Sequence, residues 1–139
     1  MIAEIRTYTV KDGMLDSYLE LFNRQIVPNH RKHGIAVLGA WADRQKNQVT
    51  WIRTFASREE RKRKLDVYEV SPERDAVFPI ASFHMTNHDV KVLESVFEPT
   101  AEPDQSFLDS PVAVQARKAY DAIPKAEADA FKKSVAAPR

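Results

Sequence analysis

The sequence contains no cysteine and only three glycines in 139 residues. The first absence excludes a disulfide frame, a thiolate nucleophile and any cysteine-based zinc site. The second leaves no room for a glycine-rich loop of the kind that cradles nucleotide phosphates. Charge of one sign is lacking too. The chain has 21 basic residues against 20 acidic ones, a net charge of +1, whereas a broad nucleic-acid or membrane surface shows a basic excess. No apolar run approaches the roughly 20 residues that span a bilayer. The first residues enter a strand at once, without the charged, apolar and small-residue zones of a signal peptide. These absences predict a soluble, cytoplasmic protein with neither nucleic acid nor membrane as a partner.

What is present is a charged and aromatic strand pattern. Residues 2–10 alternate, with Ala3, Ile5, Thr7 and Thr9 on one face and Glu4, Arg6 and Tyr8 on the other. Lys11-Asp12-Gly13 reads as a turn. Leu15, Tyr18, Leu19, Phe22 and Ile26 then mark one buried stripe of a helix. Pro28 lacks the N–H of an unbroken helix and predicts a kink or a fresh turn. Gly34 is expected to close the helix in the left-handed conformation, with His30 and His33 near its negative end.

Residues 35–43 and 48–56 predict a hairpin. In the second of these strands Trp51, Arg53 and Phe55 share a face, so two aromatics flank a guanidinium. Ser57 and Glu60 follow as a capping box for a helix over 58–69. That helix carries a basic run largely offset by its own acids, which reads as a solvated face. Residues 74–87 show no clear period, Pro79 and Asn87 pointing to irregular structure, and 88–98 read as a fourth strand. Ser110-Pro111 opens a last helix. Pro124 interrupts it.

Four segments in this order, Glu4 to Val10, Gly13, His33-Gly34 leading to Leu38-Gly39-Ala40-Trp41, and Trp51 to Arg61, together resemble a NIPSNAP domain. The match covers about residues 1–98 and is clearest over 1–65. The resemblance implies an α+β, ferredoxin-like βαββαβ sheet with helices on one face, two copies of which pair into a dimeric α/β barrel. It gives a NIPSNAP-like domain over 1–99; the residues after it read as a connector and C-terminal helical extension over 100–139. Barrels of this superfamily include cyclases, isomerases, monooxygenases and haem-degrading proteins.

The strand pattern bears on the same point. Helices are expected on the aliphatic face of Ile5, Leu38, Ala40 and Ile52. The face with Tyr8, Trp41, Trp51 and Phe55 would then be bare, and a second copy would cover it. On that face the candidate catalytic residues are Arg53 and Tyr8, joined by His84 from the adjoining segment. The candidate ligand-binding residues are Arg6, Trp41, Trp51 and Phe55. An arginine among aromatics suits a carboxylate or enolate, and a phenol can donate a proton. Two readings stay open: a pocket for a small hydrophobic ligand, or a buried Glu4–Arg6–Arg53 network that fixes register between subunits. Two function classes stay open with them, a cofactor-independent enzyme of cyclase, isomerase or monooxygenase type and a non-catalytic binding or interaction module. Neither a cofactor nor a metal site is expected. His30 and His33 read as helix-end residues.

Overall fold

Strand β1 (Ile2–Val10) alternates buried and half-buried residues, as the two-residue period of its sequence requires. It is one of the two inner strands of a four-stranded antiparallel sheet in the order β2 (Ala36–Asp43), β3 (Gln48–Phe55), β1, β4 (Met85–Glu94). Helix α1 (Leu15–Leu21), a π-helical turn (Phe22–Ile26) and α2 (Val27–Lys32) lead from β1 to β2. Helices α3 (Arg58–Tyr68) and α4 (Pro72–His84) lead from β3 to β4. This βαββαβ order and strand arrangement make the domain α+β and ferredoxin-like. The computed structural model describes residues 1–136, so the last three positions of the 100–139 extension lie outside the described residues. The chain divides into two compact units, Met1–Val96 and a second that starts at Phe97. The second unit holds α5 (Gln105–Leu108), α6 (Pro111–Asp121) and α7 (Lys125–Ala136). Ser110 caps α6 with Pro111 at its first position.

Local chemistry sets the boundaries. Gly13 and Gly34 adopt positive φ, +77° and +69°, and so supply the turn after β1 and the end of α2. The π turn stretches the helix so that the N–H of Val27 reaches the carbonyl of Phe22, five residues back. A new helix then begins with Pro28 in its first turn, where a missing N–H costs nothing. Ser57 Oγ accepts from Glu60 N at 3.1 Å, and the Glu60 carboxylate turns back to Ala56 N. This capping box holds the start of α3 at about 1 kcal/mol of stabilisation.

Ser71-Pro72 closes one helix and opens another. Ser71 Oγ accepts from Arg74 N at 3.2 Å, and α4 runs on through Pro79 to His84. The 74–87 segment is therefore mostly helical, and β4 begins at Met85, three residues before its expected start at 88. Pro79 is carried inside α4 because Val77 and Ala81 on either side of it are anchored in the core.

The helices cover the opposite face from the one the alternation suggested. Tyr8, Val10, Val49 and Trp51 pack with Leu15, Tyr18, Phe22, Ile26, Val77 and Ala81 in the main core. Ile2, Phe55, Ile35, Leu65 and Tyr68 form a second cluster. The bare face instead carries Ala3, Ile5 and Thr7 of β1 with Thr50, Ile52 and Thr54 of β3. A polar composition misled here: Glu4, Arg6 and Arg53 belong to the core side because they satisfy one another.

Trp41 is displaced for a separate reason. Val37 pairs with Arg53 and Gly39 pairs with Ile52, so Leu38 is an extra residue, a β-bulge. Beyond it the alternation of β2 is reversed. Ala40 stands opposite Trp51, and Trp41 stands opposite Thr50 on the bare face, 57% exposed. Its indole folds back over Gly39, where an added Cβ would lie 3.0 Å from Trp41 Cη2. The missing side chain thus makes room for a residue of the same chain.

Candidate functional site

The site grows from a carboxylate on β1. Glu4 is wholly buried, 0% exposed, between strands and α3. Its Oε1 accepts from Arg53 Nη2 at 2.8 Å and also from Arg6 Nη1, and its Oε2 accepts from Arg61 Nε at 3.0 Å. Register explains the grouping: Glu4 faces Arg53 and Arg6 faces Trp51 across β1 and β3. Burial alone would raise the Glu4 pKa. The hydrogen bond and charge of Arg53, with the charges of Arg6 and Arg61, outweigh burial and hold it below the ordinary value. These bonds tie β1, β3 and α3 together within the chain and support the register of β1 on β3.

His30 completes the network from α2. Its Nδ1 lies 2.7 Å from the carbonyl oxygen of Ile26, so Nδ1 carries the proton and donates it. Its Nε2 is then free to accept from Arg53 Nη1 at 2.9 Å. Burial pushes the imidazole pKa down to about 4; the bond to Ile26 opposes this, and the charge of Arg53 adds to it. A neutral imidazole therefore positions Arg53. Near a helix end the sequence suggested a dipole role for His30. Its position four residues after Ile26, on the stripe of Tyr18, Phe22 and Ile26, was the signal that it faces inward.

Above this network, between the sheet and α4, lies a cavity of about 400 Å³, within the size range of small-molecule sites. Arg6, Tyr8, Trp51, Arg53 and His30 line one side, and Tyr18, Tyr68, Val77, Phe78 and Ala81 line much of the rest. Arg6 is the more open of the two arginines, its side chain 21% exposed against 6% for Arg53. Its guanidinium lies 5.6 Å from the Tyr8 ring centre and 5.8 Å from that of Trp51. Arg6 Nε donates to the Tyr8 hydroxyl at 2.6 Å. With that lone pair occupied, the hydroxyl hydrogen of Tyr8 remains to be donated. Burial raises the pKa of Tyr18 and of Tyr68, so both phenols keep their protons.

Of the residues expected at the site, Arg6, Tyr8, Trp51 and Arg53 come together around the cavity. Three do not. Trp41 is on the far side of the sheet, past the bulge. Phe55 belongs to the second core cluster, one strand repeat beyond Arg53. His84 is buried at the end of α4 with both ring nitrogens engaged: Nδ1 donates to Ile80 O at 2.8 Å, and Nε2 accepts from Ser17 Oγ at 2.8 Å. It is outside the cavity wall, which takes His88 instead, the neighbour of Tyr8 on β4. Tyr18, Tyr68 and His30 were not foreseen at the site.

A family model described as NIPSNAP matches residues 3–95 of the chain. Among solved structures, the chain is similar to a NIPSNAP domain protein from Burkholderia xenovorans, with 17% identity and a TM-score of 0.65, over 72% of this chain and 100% of that one. It is similar to a NIPSNAP family protein of unknown function from Agrobacterium tumefaciens, with 22% identity and a TM-score of 0.63, over 71% of this chain and 92% of that one. It is also similar to an antibiotic biosynthesis monooxygenase, with 18% identity and a TM-score of 0.56, over 69% and 99% of the two chains. These likenesses are to a shared fold. No curated protein matches the chain.

Proposed function

The chain belongs to the NIPSNAP family, and from that premise we propose that it is a cofactor-independent enzyme, of cyclase, isomerase or monooxygenase type, acting on a small hydrophobic metabolite in the cavity between sheet and α4. The observation that carries this reading is the joining of an aromatic-walled space of about 400 Å³ to an arginine and a phenol already in contact, Arg6 Nε and Tyr8 OH at 2.6 Å. Such chemistry passes through an oxyanion or enolate. Arg6 would hold the developing negative charge, and Tyr8 would hand its remaining hydroxyl proton to it. Arg53, tied to Glu4 and His30, sets the position of this pair and adds a fixed positive charge. The test is to incubate the protein with a metabolite extract and follow small molecules by mass spectrometry. The reading expects one hydrophobic species consumed by the wild type, and still bound but consumed at least about a hundredfold more slowly by Tyr8→Phe. Retention of a species that neither protein alters would replace the enzyme with a binding module.

The reading includes a homodimer paired through the bare sheet face. Trp41 and Leu93 are exposed there beside Ile5 and Ile52, a grouping that gains by leaving water. A solution mass equal to one chain at micromolar concentration would end this part of the proposal.

A further inference from the structure

Two features of the cavity wall go beyond its size and aromatic lining. The first is charge. Two guanidiniums of the lining, Arg6 and Arg53, share the single carboxylate of Glu4 with a third, Arg61, which lies outside the lining. Arg53 is buried and Arg6 is four-fifths buried, so bulk water screens this surplus poorly. Arg74 adds another positive group to the lining, with its guanidinium 4.2 Å from the Phe78 ring centre. Against these cations the cavity lining supplies one acid, Glu69, at the exposed rim.

The second feature is the sense of the hydrogen bonds. Three lining residues each hold a buried polar atom with no hydrogen-bond partner among the described residues: the hydroxyl of Tyr18, Nε1 of Trp51 and Nε of Arg53. Two of the three are donors only, and the third is a phenol that keeps its proton. The Nε2 acceptor of His30 is already taken by Arg53. Unpaired buried donors are costly, typically about 1–3 kcal/mol each. Around Arg6, Tyr18 and Trp51 the wall is thus weighted toward donors, although Ser82, Thr86 and Asn87 of the lining can also accept. A group that only accepts, and carries negative charge, meets both features at once.

We infer that the metabolite is a carboxylate in its resting state: an aromatic or alicyclic acid whose ring fills the space between Tyr18, Trp51 and Phe78 and whose carboxylate sits against Arg6. This rests on the cavity reading above and narrows it. The negative charge is present before any reaction, in addition to the oxyanion that would develop during one. Arg6 receives the acid, and the Glu4–Arg53–His30 chain is the positioning support that keeps Arg6 and Trp51 in place.

Isothermal titration with a matched pair of probes tests the charge: 2-naphthoate and 2-acetylnaphthalene, equal in ring and nearly equal in size. The acid is expected to bind about tenfold or more tightly than the ketone, the value of one charge-assisted contact. Raising the salt concentration should not abolish the difference, because the site is largely buried. In Arg6→Met the preference should shrink to about threefold or less, and in Arg6→Lys it should be partly kept, since the charge remains. Equal or tighter binding of the ketone by the wild type would overturn the carboxylate inference while leaving the cavity as a ligand site. Binding of neither probe would overturn both. The wild-type comparison needs no variant, so a failure of Arg6→Met to fold leaves the outcome decided.

Discussion

Arg53 Nη1 donates to His30 Nε2 across 2.9 Å, and His30 Nδ1–H donates to the Ile26 carbonyl at 2.7 Å. The two bonds allow one tautomer. A neutral imidazole is held between a cation and a helix carbonyl, and its orientation sets that of the guanidinium.

The first prediction concerns this imidazole. Unfolded, it takes a proton near its ordinary value of 6.5; folded, near 4. Between those values the unfolded state holds one more proton, so stability falls as pH falls through that window. The Glu4 carboxylate, lowered below 4.5, adds its loss only at the acid end. Urea unfolding at pH 7 and pH 5 should show a lower midpoint at pH 5. The variant His30→Gln should narrow the gap between the two midpoints, and an unchanged gap would contradict the assignment.

Glu4 supports three arginines. Glu4→Gln keeps the shape and removes the charge, which leaves the guanidiniums facing one another. We expect a loss of about 3–5 kcal/mol in urea unfolding, a large part of the stability of a domain this size. A loss under about 1 kcal/mol would mean that the network is decorative.

Tyr18 should behave in the opposite way. Its hydroxyl is buried and without a partner among the described residues. Tyr18→Phe removes an unsatisfied group and keeps the ring contact with Tyr8, whose centroid lies 6.0 Å away. Thermal melting should rise or stay level, since no hydrogen bond is lost. A fall of several degrees would show that the hydroxyl has a partner after all.

The bare face supplies the fourth prediction. Trp41→Asp places a charge where two copies would meet, far from the cavity. Light scattering should show a shift from dimer to monomer, with binding of 2-naphthoate within about twofold of wild type, because the substitution leaves every cavity-lining residue in place.

These residues also show how much the sequence disclosed. The turn at Gly13, the end at Gly34, the capping box at Ser57 and the hairpin were legible because each follows from short-range chemistry. The grouping of Arg6, Tyr8, Trp51 and Arg53 was legible from the two-residue period alone. The side on which helices pack was not. Period fixes which residues share a face, yet it does not say which face is inside when the inner one carries Glu4, Arg6 and Arg53. Their mutual pairing is a tertiary fact. Trp41 was misplaced because a bulge leaves no mark in a strand beyond Gly39, and α4 was missed because Pro79 looks like a breaker until Val77 and Ala81 are seen to be anchored. His30 was undervalued because its partner lies on another element, 23 residues away.

The bulge at Leu38 has one more effect. Strand β2 is an edge of the sheet, and a straight edge offers its free N–H and C=O groups to any passing strand. An inserted residue bends that edge and breaks the even spacing a new strand would need. Growth by strand addition, the route to ribbons and fibres, is thereby discouraged along β2.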